Sequence, residues 1–116
     1  MHNLAFNYEM TGAFREAERW YFDTIDVRRR VLGEMHPSTA ISWLGLARVY
    51  EKQRRYDESE PLIIAAHEAY RQTLGADNAR TQEAVNVLAK LYDAWWRPGK
   101  AAQWRARLLA NTGPQP

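Results

Sequence analysis

The stretch RVLGEMHPSTA (residues 30–40) decides how this chain is read, because it returns as QTLGADNARTQ (residues 72–82). Leu32, Gly33 and Thr39 reappear 42 residues on as Leu74, Gly75 and Thr81. Each copy reads as a helix stop followed by a helix start. A glycine just past the last helical turn adopts a left-handed conformation without steric cost, so Gly33 and Gly75 are expected to close a helix that way. His36 and Asn78 then stand at N-cap positions. Pro37 takes the first helical position, where its missing N–H costs nothing.

The same lag organises the rest of the chain. Leu4-Ala5 aligns with Leu46-Ala47 and Leu88-Ala89, and Tyr8 with Tyr50 and Tyr92. Phe14 aligns with Tyr56, Ala17 with Ser59 and Ala101, and Trp20 with Leu62 and Trp104. Glu16 and Glu18 align with Glu58 and Glu60. So consistent a set at one spacing is an internal repeat. Its period fits a helical solenoid of the armadillo or HEAT kind, a propeller blade, or a long helix-turn-helix unit. Helical spacing removes the propeller: Ile41, Leu44, Leu46-Ala47 and Tyr50 recur without strict alternation, as do Val85, Leu88-Ala89 and Tyr92. The predicted helices cover residues 3–10, 14–32, 37–53, 57–74, 79–96 and 99–111. Asp57 with Glu60 is expected to form a capping box, and Pro98-Gly99 to break the chain. One domain spans residues 1–111, in repeats at about 1–35, 36–77 and 78–111. Residues 112–116 read as a disordered tail.

Composition narrows the chemistry. The chain has 116 residues, 46% hydrophobic and 26% charged, with 16 basic against 14 acidic side chains. That balance is globular, and it exerts no strong pull on nucleic acid or membrane. There is no cysteine, which removes disulfide and thiol chemistry and suits a reducing, cytoplasmic setting. The N-terminus lacks the basic-then-apolar pattern of a secretory signal. PLIIAA, the longest apolar run, is far too short to span a bilayer.

Leu-Ala-x-x-Tyr, a turn, an aromatic, then Glu-Ala-Glu and a bulky pair resembles the tetratricopeptide repeat. The pieces VLGEMHPSTA, LARVYEKQRRYDESEPL and FREAERWY, at this period, resemble its kinesin-light-chain type across residues 2–110. LYDAWWRPGKAAQWRARL resembles the closing repeat of many bacterial multi-repeat proteins. The resemblance implies an all-α, right-handed solenoid of about two and a half to three helix-turn-helix repeats. A HEAT-like stack of the same helices is the alternative fold. The family usually places two asparagines before Leu-Ala. Here those positions hold His2-Asn3, Leu44-Gly45 and Asn86-Val87, so a groove reading a peptide backbone through those amides is mostly missing.

Candidate chemistry is sparse. His2, His36 and His67 lack metal-ligand spacing, His36 is explained by its cap, and His67 is expected near a polar helix face. No nucleophile, phosphate-loop or cofactor motif is visible, so no enzyme is expected. Trp20, Trp43 and Trp104 fall at packing positions. Trp95 and Trp96 end a helix, and one should be partly exposed, either covering the last helix or meeting a partner. Arg28-Arg29-Arg30, Arg54-Arg55 and Arg105/Arg107 form no single stripe, so nucleic acid is not the expected partner.

In the resembled fold, first helices line a concave groove. Taking the side opposite the Leu-Ala-Tyr face selects His2, Phe6 and Glu9 in the first repeat. It selects Ile41, Leu44, Arg48, Glu51 and Lys52 in the second, and Glu83, Asn86, Lys90 and Asp93 in the third. Arg48 and Lys90, aligned across repeats, with Asn86 nearby, are suited to a carboxylate or an acidic peptide stretch. Phe6 and Leu44 would form an apolar floor. Alternatively, Arg48 and Lys90 pair locally with Glu51 and Asp93. Two functions follow. One is a protein-interaction module taking a peptide or partner segment in the groove. The other is a self-assembly element: the first helix is about half the length of its counterparts, leaving an exposed N-terminal repeat face for a homo-oligomer.

Overall fold

The computed structural model describes residues 13–112, with side chains through Arg107. Among these residues it contains five helices: α1 (Phe14–Leu32), α2 (Pro37–Lys52), α3 (Tyr56–Leu74), α4 (Ala79–Ala94) and α5 (Pro98–Thr112). Each packs on the next, which is the arrangement of a helical solenoid. The expected helix at residues 3–10, with His2, Phe6 and Glu9, lies outside the described residues, as does the chain after Thr112. Thr112 itself ends α5 rather than opening a tail.

The turns between repeats form as the caps predict. His36 Nδ1 accepts from the Ser38 N–H at 3.0 Å, and Asn78 Oδ1 from the Arg80 N–H at 2.9 Å. The glycines differ from expectation. Gly33 has φ 98° and ψ 159°, and Gly75 has φ 93° and ψ 158°. This is an extended positive-φ conformation that glycine alone adopts readily, not the left-handed helical one. Its effect is to aim each glycine carbonyl at the start of the next helix. Gly33 O accepts the His36 N–H at 3.4 Å and the Thr39 hydroxyl at 2.9 Å. Gly75 O accepts the Asn78 N–H at 3.3 Å and the Thr81 hydroxyl at 2.7 Å.

The left-handed residues occur in the other turns, and they are Arg54 and Trp96, both at φ 60°. The Arg54 N–H donates to Glu51 O at 2.9 Å, and the Arg55 N–H to Tyr50 O at 2.9 Å. The Trp96 N–H donates to Asp93 O at 3.2 Å, and the Arg97 N–H to Tyr92 O at 2.7 Å. These paired bonds are the Schellman motif. They end α2 and α4 at Lys52 and Ala94, short of the expected 53 and 96. The expected capping box does not form. Asp57 already lies inside the first turn of α3, after Arg55 at an N-cap without a side-chain bond. Glu60 is occupied elsewhere, by the Tyr92 hydroxyl at 2.5 Å and Lys100 at 3.6 Å. Pro98 begins α5 rather than breaking the chain.

The core follows the repeat. Ala17, Ser59 and Ala101 are buried, and small side chains at this slot let neighbouring helices approach closely. The Ser59 hydroxyl bonds the Ala47 carbonyl at 2.8 Å. Glu18 accepts from Tyr50 at 3.2 Å as Glu60 does from Tyr92, so each second helix is tied to the next first helix. Burial, then the Glu18 charge, pushes the Tyr50 hydroxyl up to about 12. Trp20, Trp43 and Trp104 lie half-buried against the core clusters. Trp95 stacks on Tyr92 at 6.4 Å, while Trp96 is 87% exposed.

His67 contradicts its expected place near a polar face. It is 6% exposed, because α5 covers it and sets the Trp104 ring edge-on at 5.2 Å. Burial, then the Arg107 charge, lowers its pKa from the ordinary 6.5. The buried form is neutral, so its contribution is fully present above the unfolded-state value and is lost as pH falls through the folded one. Denaturation midpoints should therefore drop as pH falls below about 6.5. The drop should be shallower in His67→Gln, and equal slopes for the two proteins would exclude this account.

A left-handed residue carrying Cβ costs roughly 1 kcal/mol relative to glycine. Arg54→Gly and Trp96→Gly should each raise the urea unfolding free energy by about 0.5–1 kcal/mol. A lower value in both would mean that the side chains themselves hold these turns.

Candidate functional site

The faces of α2 and α4 that the helical count selects line two adjoining hollows. One, of about 220 Å³, is lined by Ile41, Leu44, Gly45, Arg48, Tyr70, Arg80 and Glu83. The other, of about 250 Å³, is lined by Leu44, Arg48, Glu51, Ile63, Glu83, Val87 and Lys90. They share Leu44, Arg48 and Glu83, so together they form one elongated groove. Each is smaller than a usual small-molecule site.

Ile41, Leu44, Arg48 and Lys90 of the selected residues come together here, with Glu51 and Glu83. Lys52 and Asn86 are exposed but line neither hollow. His2 and Phe6 lie outside the described residues. Val87 replaces Asn86 because the row along α4 runs through Glu83, Val87 and Lys90, a step of four and then three. That helical signal was readable in the sequence. Tyr70 and Ile63 come from α3 and enter only through packing.

The charges are mixed. Leu44, Ile63 and Val87 make an apolar floor, with Arg48 and Lys90 on one account and Glu51 and Glu83 on the other. Burial raises the Glu51 carboxyl above its ordinary value, opposed by Arg48 first, then Lys52 and Lys90. Asp93 does not take Lys90 as the local alternative requires. Arg105 from α5 holds it at 2.5 Å and keeps its carboxyl below the ordinary range.

The basic clusters are dispersed. Arg28 reaches the Ser38 carbonyl at 2.7 Å and the Ser42 hydroxyl at 2.9 Å. Arg30 pairs with Asp26 at 2.9 Å. Arg55 meets Glu18 at 3.3 Å and lies 4.2 Å over the Tyr50 ring. Among the described residues, no three His, Cys, Asp or Glu side chains are placed to hold a metal, and no helix is long and apolar enough to cross a membrane.

Gly45 has a steric reason. A Cβ there would fall 2.3 Å from Cε1 and 2.4 Å from Cζ of Tyr21, a fully buried ring on α1. One repeat on, the same two positions are Val87 and Ile63, so the slot volume is divided differently. Gly45→Ala should cost about 1–3 kcal/mol by overpacking, although alanine is the better helix former. Adding Tyr21→Ile to Gly45→Val should recover most of the loss. A chemical-denaturation double-mutant cycle without coupling would rule this out.

The family model described as tetratricopeptide repeat matches residues 1–62 and 38–111. Among solved structures the fold is similar to BtubC (BKLC) from P. vanneervenii. The TM-score is 0.85, with 23% identity over 94% of this chain and 43% of that one. It is also similar to the nearly identical TPR-like repeats of a Podosopora anserina protein named for the kinesin light chain. There the TM-score is 0.82, with 24% identity over 95% of this chain and 52% of that one. These two likenesses show the fold. A nucleotide-binding leucine-rich repeat (NLR)-like protein of Hyaloscypha variabilis is 42% identical over 39 residues, 34% of this chain and 4% of that protein. The chain thus spans about half the length of the solved structures and a small part of that relative.

Proposed function

The chain belongs to the tetratricopeptide repeat family, with a fold of the kinesin-light-chain type, and we propose that it is a non-catalytic interaction module that holds an extended segment of a partner protein in the α2/α4 groove. The observation that carries this reading is the apolar floor of Leu44, Ile63 and Val87 between the aligned cations Arg48 and Lys90. An apolar side chain of the ligand would rest on that floor. A ligand carboxylate would lie between Arg48 and Lys90, where desolvation strengthens charge-assisted hydrogen bonds. Glu51 and Glu83 limit how acidic the segment can be, and favour a carboxylate at one position over a continuous acidic run. The family's usual amides are absent at Leu44 and Gly45. Recognition therefore rests on side-chain pockets more than on the ligand backbone. The absence of cysteine suits work in the cytoplasm.

A peptide array varying one apolar and one charged position tests this directly. It should select peptides pairing a large apolar residue with Asp or Glu. Arg48→Glu and Lys90→Glu should each weaken the selected peptides about tenfold, with steeper loss at low salt. Selection of Lys/Arg-rich peptides, or unchanged affinity in both variants, would reject the groove as the site.

A further inference from the structure

The repeat register points to a second site, away from the groove. Between α1 and α3 lies a hollow of about 420 Å³ walled by Phe22, Ile25, Trp43, Leu46 and Leu62. Asp26 and Arg29 are its charged members. Shifted by 42 residues, Ile25 becomes His67, Leu46 becomes Leu88 and Leu62 becomes Trp104. In that second interval, between α3 and α5, the Trp104 indole lies edge-on to His67 at 5.2 Å and packs on the cluster containing Leu88. One interval is thus filled from within by an indole. In the other, the shorter Leu62 leaves the slot open, and Phe22 beside it is 51% exposed.

The chain also carries an exposed indole. Trp96 sits on the turn before α5, held at φ 60° by the Schellman bonds. A bulky residue at positive φ with its ring in solvent loses on both conformation and hydration. Of the cations that follow Trp96 in the chain, Lys100 is paired with Glu60 and Arg105 with Asp93. Arg97 lies 4.8 Å over the Trp95 ring rather than beside a carboxylate. Charge on α1 is mixed, with four acidic side chains and five arginines over residues 14–32. Asp23 is the acidic group beside the hollow that is in no ion pair among the described residues. Asp23 there lines a neighbouring hollow with Phe22.

We propose that the α1/α3 hollow is a docking site for a second copy of this chain, entered by that copy's Trp96 with its Arg97 beside Asp23. The occupant is argued from two features: the indole that fills the equivalent slot in the next interval, and the opposite charges of Asp23 and Arg97, neither of which is in an ion pair among the described residues. The contact joins unlike surfaces. It closes into a pair if two such contacts are reciprocal, and otherwise adds copies in a run. It does not use the groove.

Sedimentation velocity from micromolar to millimolar concentration tests the proposal. The wild-type mass should rise with concentration, to a pair or to a ladder. Trp96→Gly, which keeps its turn, should weaken association by about thirtyfold or more, as loss of a central aromatic anchor does. Leu62→Trp should do the same by filling the hollow from within. Asp23→Arg should weaken association, and adding Arg97→Asp should restore it, a result that holds even if Leu62→Trp fails to fold. A wild type that stays monomeric throughout, or association unchanged in Trp96→Gly, overturns the proposal. Peptide binding at Arg48 and Lys90 should be unaffected by Trp96→Gly, which separates this site from the groove.

Discussion

The stack depends on one backbone reversal, made twice by glycine. At Gly33 and Gly75 a positive φ with an extended ψ turns the carbonyl forward, toward the helix that has not yet begun. A side chain at either position would strain the backbone even though the space around it is open. The carbonyl then collects the cap N–H and a buried threonine hydroxyl. This fixes where α2 and α4 start. Everything counted from those starts follows, including which residues face the core and which face the groove.

The turns inside repeats solve the same problem less comfortably. Gly12 stands at the corresponding position of the first repeat, while Arg54 and Trp96 occupy it in the next two. Two Schellman bonds per turn offset the conformational cost. Arg55, brought over Tyr50 and against Glu18, adds a tie between α3's start and the preceding helices. Local preference and tertiary structure disagree at these two residues, and such places are where function is worth seeking.

Between repeats, equal backbone geometry accommodates unequal side chains. Tyr21 with Gly45 fills one slot, and Ile63 with Val87 fills its counterpart. Leu62 leaves open what Trp104 closes. Because interiors are packed at near-crystalline density, each exchange changes the surface above it. Gly45 lines one groove hollow and Val87 the other. The chain's distinct surfaces therefore come from small departures within a regular scaffold.

The repeat, the helix ends at Gly33 and Gly75, the caps at His36 and Asn78, and the face carrying Ile41, Leu44, Arg48 and Lys90 were legible in the sequence. All are set by local geometry: backbone conformation, the 3.6-residue period and alignment at one lag. Trp20, Trp43 and Trp104 were legible as packing residues for the same reason. Only the tertiary structure placed Tyr70 and Ile63 beneath the groove, buried His67 under Trp104, gave Asp93 to Arg105 and Glu60 to Tyr92, and left Leu62's slot unfilled. Those outcomes depend on which helix lies against which, and on side-chain volumes meeting across the gap. Periodicity along one chain segment does not contain that information.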